Sequence, residues 1–113
     1  YNRDCLVYTA THDTNTSLQT LRDMEKSKKD FMYRYCGIRT GDKKMVWELI
    51  RLALESKAVV SIFPIQDIMT LDGRARMNLP GTSHGNWAFR MQRKQLKPAM
   101  INRLESMTRE SGR

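Results

Sequence analysis

Two short apolar runs stand out in an otherwise amphipathic chain. Residues 5–9 are apolar and β-prone and end at a polar cluster over residues 11–16, so they predict a strand that leads into a loop. Residues 58–63 are almost continuously apolar and rich in β-branched side chains, a pattern typical of a strand buried on both faces of a parallel sheet. Pro64 cannot donate to a strand ladder and closes this second run.

Helical patterns fill the intervals around the two strands. A rather polar, surface-lying helix is predicted over residues 18–29, and a second helix follows over residues 30–36. The clearest helix spans residues 42–56, with Asp42 as its N-cap, and a last helix spans residues 98–110. The apolar faces predicted for these last two helices are Met45, Val46, Leu49, Ile50, Ala53 and Leu54 in the first, and Met100, Ile101, Leu104 and Met107 in the second.

The order of these elements predicts the fold class. Strands separated by long helical connections favour an α/β arrangement, in which the two strands lie parallel and adjacent with the 42–56 helix crossing between them. Two parallel strands alone do not make a stable sheet, so we expect further strands upstream of Tyr1. Residues 77–87 form a loop without periodicity, and residues 1–113 are interpreted as a piece of a single domain.

Composition and charge narrow the function classes. The 113 residues carry a formal net charge of +8, but the basic residues are scattered and no stripe interleaves them with aromatic residues, so a solvated surface is favoured over a nucleic-acid site. No apolar stretch approaches the roughly 20 residues of a membrane span. Cys5 and Cys36 lie far apart and outside any metal-binding spacing, which indicates free thiols in a reducing compartment. We expect a soluble, cytoplasmic protein without metal or other cofactor.

Two segments carry a resemblance to a known family. Residues 7–16 read VYTATHDTNT, and residues 65–67 and 74–87 contain IQD, ARMNLPGT and GNW. These segments resemble the VYTGTHDNDT and PLQD…ARMNxPG…GNW motifs of the 4-α-glucanotransferase family, the amylomaltases or disproportionating enzymes. The resemblance covers most of the chain except residues 18–44. Ala10 replaces a family glycine, and Thr14-Asn15 inverts the usual Asn-Asp pair.

The resemblance implies a fold and a reaction. It makes the chain a helix-rich, C-terminal part of a (β/α)8 barrel, consisting of the last two βα units, where chemistry lies on the loops after the strands. The family transfers α-1,4-glucan segments between maltodextrins by retaining double displacement, which needs a carboxylate nucleophile and a carboxylic acid/base. No segment here matches the motifs of those two residues, so we assign neither role and expect the isolated chain to be inactive.

The resemblance also suggests five site residues. Asp13 aligns with a carboxylate that stabilises the transition state, and His12 with a partner at the same sugar, although the two could instead cap a helix. Asn78 is either a sugar contact or a turn residue, and Trp87 either stacks on a sugar ring or is buried in the barrel. Gln66 is a candidate substrate contact, although a structural role, in which it caps a short helix or orients the following loop, is favoured. His12, Asp13, Gln66 and the Asn78 loop are expected to gather at the carboxyl ends of the two strands.

Three functions remain open from the sequence. The leading one is a piece of a glucanotransferase that acts on α-1,4-glucans and requires the remainder of its parent polypeptide. A carbohydrate-binding remnant without chemistry is the second. A small basic nucleic-acid-binding module is the third, and a salt-dependent affinity for nucleic acid would favour it.

Overall fold

The computed structural model describes residues 4–113, and its two strands pair in parallel. Strand β1 (Leu6–Tyr8) lies beside strand β2 (Val60–Ile62), with Val7 opposite Ser61. The predicted parallel and adjacent pairing is confirmed. Each strand is shorter than the apolar run that predicted it, because only three residues on each side take part in the pairing.

The described part of the chain also contains five α-helices. They are α1 (Ser17–Asp23), α2 (Lys26–Cys36), α3 (Asp42–Glu55), α4 (Ile65–Ile68) and α5 (Pro98–Glu110). Single 3-10 turns occur at Gly73–Ala75 and Arg93–Gln95. Among these elements there is no helix with the length and apolarity that a membrane crossing requires.

The break between α1 and α2 lies earlier than predicted. It falls at Met24 and Glu25, whose backbones are both extended, and not between residues 29 and 30. The side chain of Met24 packs against the core, so tertiary packing ends α1 at a position where the local sequence carries no breaker. The start of α1 at Ser17 lies one residue before the predicted one, and its N-cap Thr16 accepts a hydrogen bond from the Gln19 backbone N–H.

The core forms between α1 and α3. Helix α3 buries the face that its periodicity predicted, and Leu18 and Leu21 of α1 complete the cluster. The predicted first helix lies at the surface, where Thr20, Arg22 and Asp23 are exposed, and the two leucines at a spacing of three anchor its inner face. Burial of each such leucine contributes about 1.5–3 kcal/mol. In α5 the predicted face packs on the core except for Ile101, which is half exposed.

Strand β2 is not buried on both faces. Helix α3 covers one face, where Ser61 Oγ donates a hydrogen bond to the Ala53 carbonyl. On the other face Val60 and Ile62 are each 42% exposed, and Leu6 and Tyr8 of β1 are exposed beside them. The prediction of double burial fails because nothing within residues 4–113 packs on this second face.

The end of α3 is held by a distant arginine. Helix α3 has no basic residue in its last turn, and Arg113 supplies the missing positive charge. Its guanidinium donates to the carbonyls of Leu54 at 2.6 Å, Ser56 at 2.9 Å, Ala58 at 2.6 Å and Val59 at 3.3 Å. Carbonyls that lack partners inside the helix are thereby satisfied, which fixes the turn from α3 into β2.

The start of α3 differs from the prediction. Gly41 is the N-cap, and Asp42 is the first helical residue. The Asp42 carboxylate binds two side chains of α2. Lys29 Nζ lies 2.9 Å from it, and the Tyr33 hydroxyl donates a hydrogen bond to it. The side chain therefore joins two helices instead of capping its own.

This cluster gives the fold a dependence on pH. Burial raises the pKa of the Asp42 carboxyl, but hydrogen bonds from Tyr33 and Lys29 and the charge of Lys29 outweigh burial and hold that pKa below its usual 3.8. A carboxyl whose pKa falls on folding stabilises the protein above its unfolded pKa. That contribution disappears as the pH drops through the folded pKa.

We predict that Asp42→Asn reduces the loss of stability below pH 3.8, since the variant no longer has this proton to bind. The free energy of unfolding in urea, measured as a function of pH, tests this. Asp30→Asn on the exposed side of α2 removes the same charge and serves as the control. An Asp42→Asn protein that loses stability in acid as steeply as the wild type would contradict the prediction.

Candidate functional site

The two family-like segments meet at one edge of the strand pair. The first follows β1 and the second follows β2, and the two strands are parallel, so both segments leave from the same edge. Asn78 Nδ2 donates to Asp13 Oδ1 at 2.7 Å. The prediction that Asp13 and Asn78 lie together at the carboxyl ends of the two strands is confirmed.

Main-chain contacts reinforce this meeting point. The Asn78 backbone N–H donates to the His12 carbonyl at 3.1 Å. Arg76 donates from Nη2 to the Asp13 carbonyl and from Nε to the Asn78 carbonyl, each at 2.8 Å. Arg76 was not among the predicted site residues. Its position in the ARMN segment, two residues before Asn78, was the signal that could have found it.

His12 lies beside the exposed side of Asp13, and Trp87 lies beside His12. His12 Nε2 lies 3.3 Å from Asp13 Oδ2, and more than half of each side chain is exposed. The rings of His12 and Trp87 are 5.3 Å apart and tilted by 34°. Asp13 thus directs one oxygen to Asn78 and the other toward His12 and solvent.

Trp87 lies at the surface of the described part of the chain. Its side chain is 60% exposed, and its backbone has a φ of +59°. Its N–H donates to the Met77 carbonyl at 2.6 Å, which closes the 77–87 loop. A positive φ is unusual for a bulky residue and tends to occur at functional sites. Here it accompanies an indole that lies beside the imidazole of His12.

Gln66 and Asp67 are the buried supports of the site. Gln66 is 7% exposed, and its Nε2 donates to the Ala75 carbonyl at 3.1 Å, just before Arg76. Asp67 is 1% exposed and accepts three hydrogen bonds. They come from Thr9 Oγ1 at 2.7 Å, from the Ser17 backbone N–H at 2.9 Å and from Ser17 Oγ at 2.6 Å.

A cavity opens between the two segments. Its volume is about 420 Å³, within the range of small-molecule sites. Most of its surface is apolar, and polar groups enter from both segments. Side chains that line it include Tyr8, Thr11, His12, Phe63, Gln66 and Arg76. Within residues 4–113 no group of three His, Cys, Asp or Glu side chains comes together in a way that could hold a metal ion.

Comparison with known proteins identifies the family. The family model described as 4-alpha-glucanotransferase matches residues 1–96. The chain belongs to the 4-alpha-glucanotransferase family.

Relatives support this membership. The 4-alpha-glucanotransferase of Thermus thermophilus is 38% identical over 112 residues, which cover 96% of this chain and 22% of the relative. The chloroplastic/amyloplastic 4-alpha-glucanotransferase of rice is 39% identical over 88 residues, covering 78% of this chain and 15% of the relative. The chain thus spans about a fifth of the length of the bacterial 4-alpha-glucanotransferase.

A solved structure shares the fold. Amylomaltase from Streptococcus agalactiae, in complex with acarbose, superimposes with a TM-score of 0.92 at 23% identity, over 100% of this chain and 23% of that one. The likeness covers the whole described strand pair and its helices. The arrangement of elements in this chain is therefore that of a segment of an amylomaltase.

We predict that Asp67→Ala destabilises the fold by on the order of 3 kcal/mol, because the Ser17 N–H and two hydroxyls lose their buried acceptor. Asp67→Asn should cost less, since its one remaining oxygen still accepts. Unfolding in urea measures both losses. Asp23→Ala, at an exposed carboxylate bound by Gln19, is the control and should change stability little. If Asp67→Ala and Asp23→Ala were equally stable, the buried carboxylate of Asp67 would not support the fold.

Proposed function

We propose that this chain forms part of a larger 4-α-glucanotransferase that transfers α-1,4-glucan segments between maltooligosaccharides. In this proposal the reaction is retaining double displacement, and the chain provides Asp13 and His12 together with part of the glucan cleft. The nucleophile and the acid/base belong to the remainder of the parent polypeptide. Family membership and the contact between Asp13 and Asn78 support this assignment.

The geometry of Asp13 is the observation that carries the proposal. Its carboxylate is more than half exposed, and Asn78 holds it in place without enclosing it. The neighbouring His12 lines the cavity. A glycosyl transition state develops positive charge on the sugar ring, and a fixed carboxylate nearby stabilises that charge more than it stabilises the neutral substrate. His12, 3.3 Å from the second carboxylate oxygen, is placed to share the same sugar.

Asn78 and Trp87 fit the role of substrate contacts. The Asn78 amide nitrogen is committed to Asp13, whereas no described residue donates a hydrogen bond to its Oδ1. That oxygen is available to accept from a sugar hydroxyl. Trp87 offers an exposed indole beside His12 on which a sugar ring can stack. Gln66 is better suited to support the following loop than to contact the substrate, because its amide nitrogen donates to the Ala75 carbonyl.

The bare face of the strand pair supports placement in a barrel. Leu6, Tyr8, Val60 and Ile62 leave an apolar surface that further parallel strands would cover. We assign the two strands to the last two βα units of a (β/α)8 barrel, in which the loops after the strands carry the chemistry. The cytoplasm remains our proposed location.

A carbohydrate-binding remnant is the second candidate. The exposed Trp87 favours it, because its ring lies beside His12, which lines the mostly apolar cavity, and such features suffice to bind a sugar. The two candidates differ in the chemistry of the parent polypeptide.

We predict that the full-length polypeptide containing this chain converts maltotriose into longer and shorter maltodextrins, whereas the isolated chain does not. The chain lacks a recognisable pair of catalytic carboxylates. Chromatography of the products tests both statements. Transfer by the isolated chain would mean that its catalytic residues have been misassigned. Glucan binding without transfer by the full-length polypeptide would favour the remnant.

We predict that Asp13→Asn in the full-length polypeptide lowers turnover roughly a hundred- to a thousandfold, because the amide keeps the size but loses the charge. The melting temperature should stay near that of the wild type, since the asparagine oxygen can still accept from Asn78. Asp23→Asn on α1 removes the same charge away from the site and is the control. If Asp13 were only a cap, Asn would replace it well and turnover would be retained.

A further inference from the structure

Arg76 holds two carbonyls of the site and no carboxylate. Its Nε donates to the Asn78 carbonyl and its Nη2 to the Asp13 carbonyl, each at 2.8 Å. It enters no ion pair within residues 4–113. By contrast Arg74, two residues earlier, pairs with the Asp72 carboxylate, and its side chain is 92% exposed.

The three residues form a closed hydrogen-bonded triangle. Arg76 binds the main chain of Asp13, Asn78 binds the Asp13 carboxylate, and Arg76 in turn binds the main chain of Asn78. Asp13 is thereby held at two points, its carbonyl and its Oδ1. With both points fixed, the peptide unit and the side chain of Asp13 are held in one orientation beside His12.

A guanidinium is the side chain suited to this task. Its planar fork presents several N–H groups in fixed directions, so two carbonyls from different segments can be held at once. A lysine ammonium carries the same charge but lacks the rigid fork. Arg76 is half-buried and its two partners are uncharged carbonyls. Its contribution to holding the two segments together therefore depends on hydrogen-bond geometry more than on neutralisation of a charge.

We propose that Arg76 is a positioning residue for glucan transfer, which fixes the main chain of Asp13 so that its carboxylate faces the reacting sugar. This inference rests on the proposed function. A misplacement of about 1 Å can cost roughly a hundredfold in rate. Loss of Arg76 should therefore act on turnover through Asp13 and leave the affinity for glucan largely intact.

The test uses the full-length polypeptide that contains this chain, with maltotriose as the substrate. Arg76→Met should lower kcat roughly a hundredfold with little change in KM. Arg76→Lys should fall between Met and wild type, because it retains the charge and only part of the hydrogen bonding. Arg74→Met removes the same charge from an exposed side chain in the same segment and should keep the wild-type kcat.

Amide hydrogen exchange provides a readout that does not depend on activity. The Asn78 N–H, bonded to the His12 carbonyl, should exchange faster in Arg76→Met than in Arg74→Met if Arg76 holds the two segments together. An Arg76 that serves stability alone would lower the melting temperature of the Met variant while kcat per folded molecule stayed at the wild-type value. That result would overturn the proposal.

The remaining outcomes are also decisive. If Arg76→Met does not fold, Arg76→Lys decides, and a Lys variant with full kcat overturns the inference. If the wild-type polypeptide transfers glucan and both Arg76 variants match it, the inference fails while the proposed function stands. If the wild-type polypeptide transfers no glucan, the proposed function fails, and the role of Arg76 in transfer fails with it.

Discussion

The buried carboxylate of Asp67 is the constraint on which the candidate site depends. It follows β2 in sequence, yet it binds Thr9 at the end of β1 and Ser17 at the start of α1. Residues 10–16, which carry His12 and Asp13, are thus tethered at both ends by one side chain. Gln66, the preceding residue, holds the Ala75 carbonyl and so tethers the second segment. Two adjacent residues of α4 therefore fix the distance between the two loops that form the site.

Asp67 and Asp13 show how environment gives two carboxylates different roles. Asp67 is buried and accepts three hydrogen bonds from the protein, one from an N–H and two from hydroxyls, so most of its accepting capacity is used inside the fold. Asp13 is exposed and takes one strong hydrogen bond, from Asn78, on one oxygen. Its second oxygen faces His12 at 3.3 Å and remains accessible. Burial and three internal hydrogen bonds suit Asp67 to support the fold, whereas the accessible oxygen of Asp13 is what its proposed role requires.

The sequence predicted what local patterns and motif order determine. The parallel pair, helix α3 and the meeting of Asp13 with Asn78 were anticipated, because periodicity and the position of a loop after a strand suffice for them. Features that depend on partners distant in sequence were missed. Packing of Met24 against the core ends α1, and the Asp42 carboxylate binds a side chain of α2 instead of capping α3. The positive φ of Trp87 also escaped prediction, because no local sequence pattern indicates it.

The site and the core are stabilised by different forces. Apolar burial is concentrated between α1 and α3, whereas the exposed face of the strand pair contributes none. Hydrogen bonds made by Asp67, Gln66 and Arg76 hold the loops at the strand ends. Such directional contacts define the position of Asp13 without requiring the second face of the sheet to be covered. Lack of transfer by the isolated chain would therefore reflect absent catalytic carboxylates and an incomplete cleft more than a disordered Asp13.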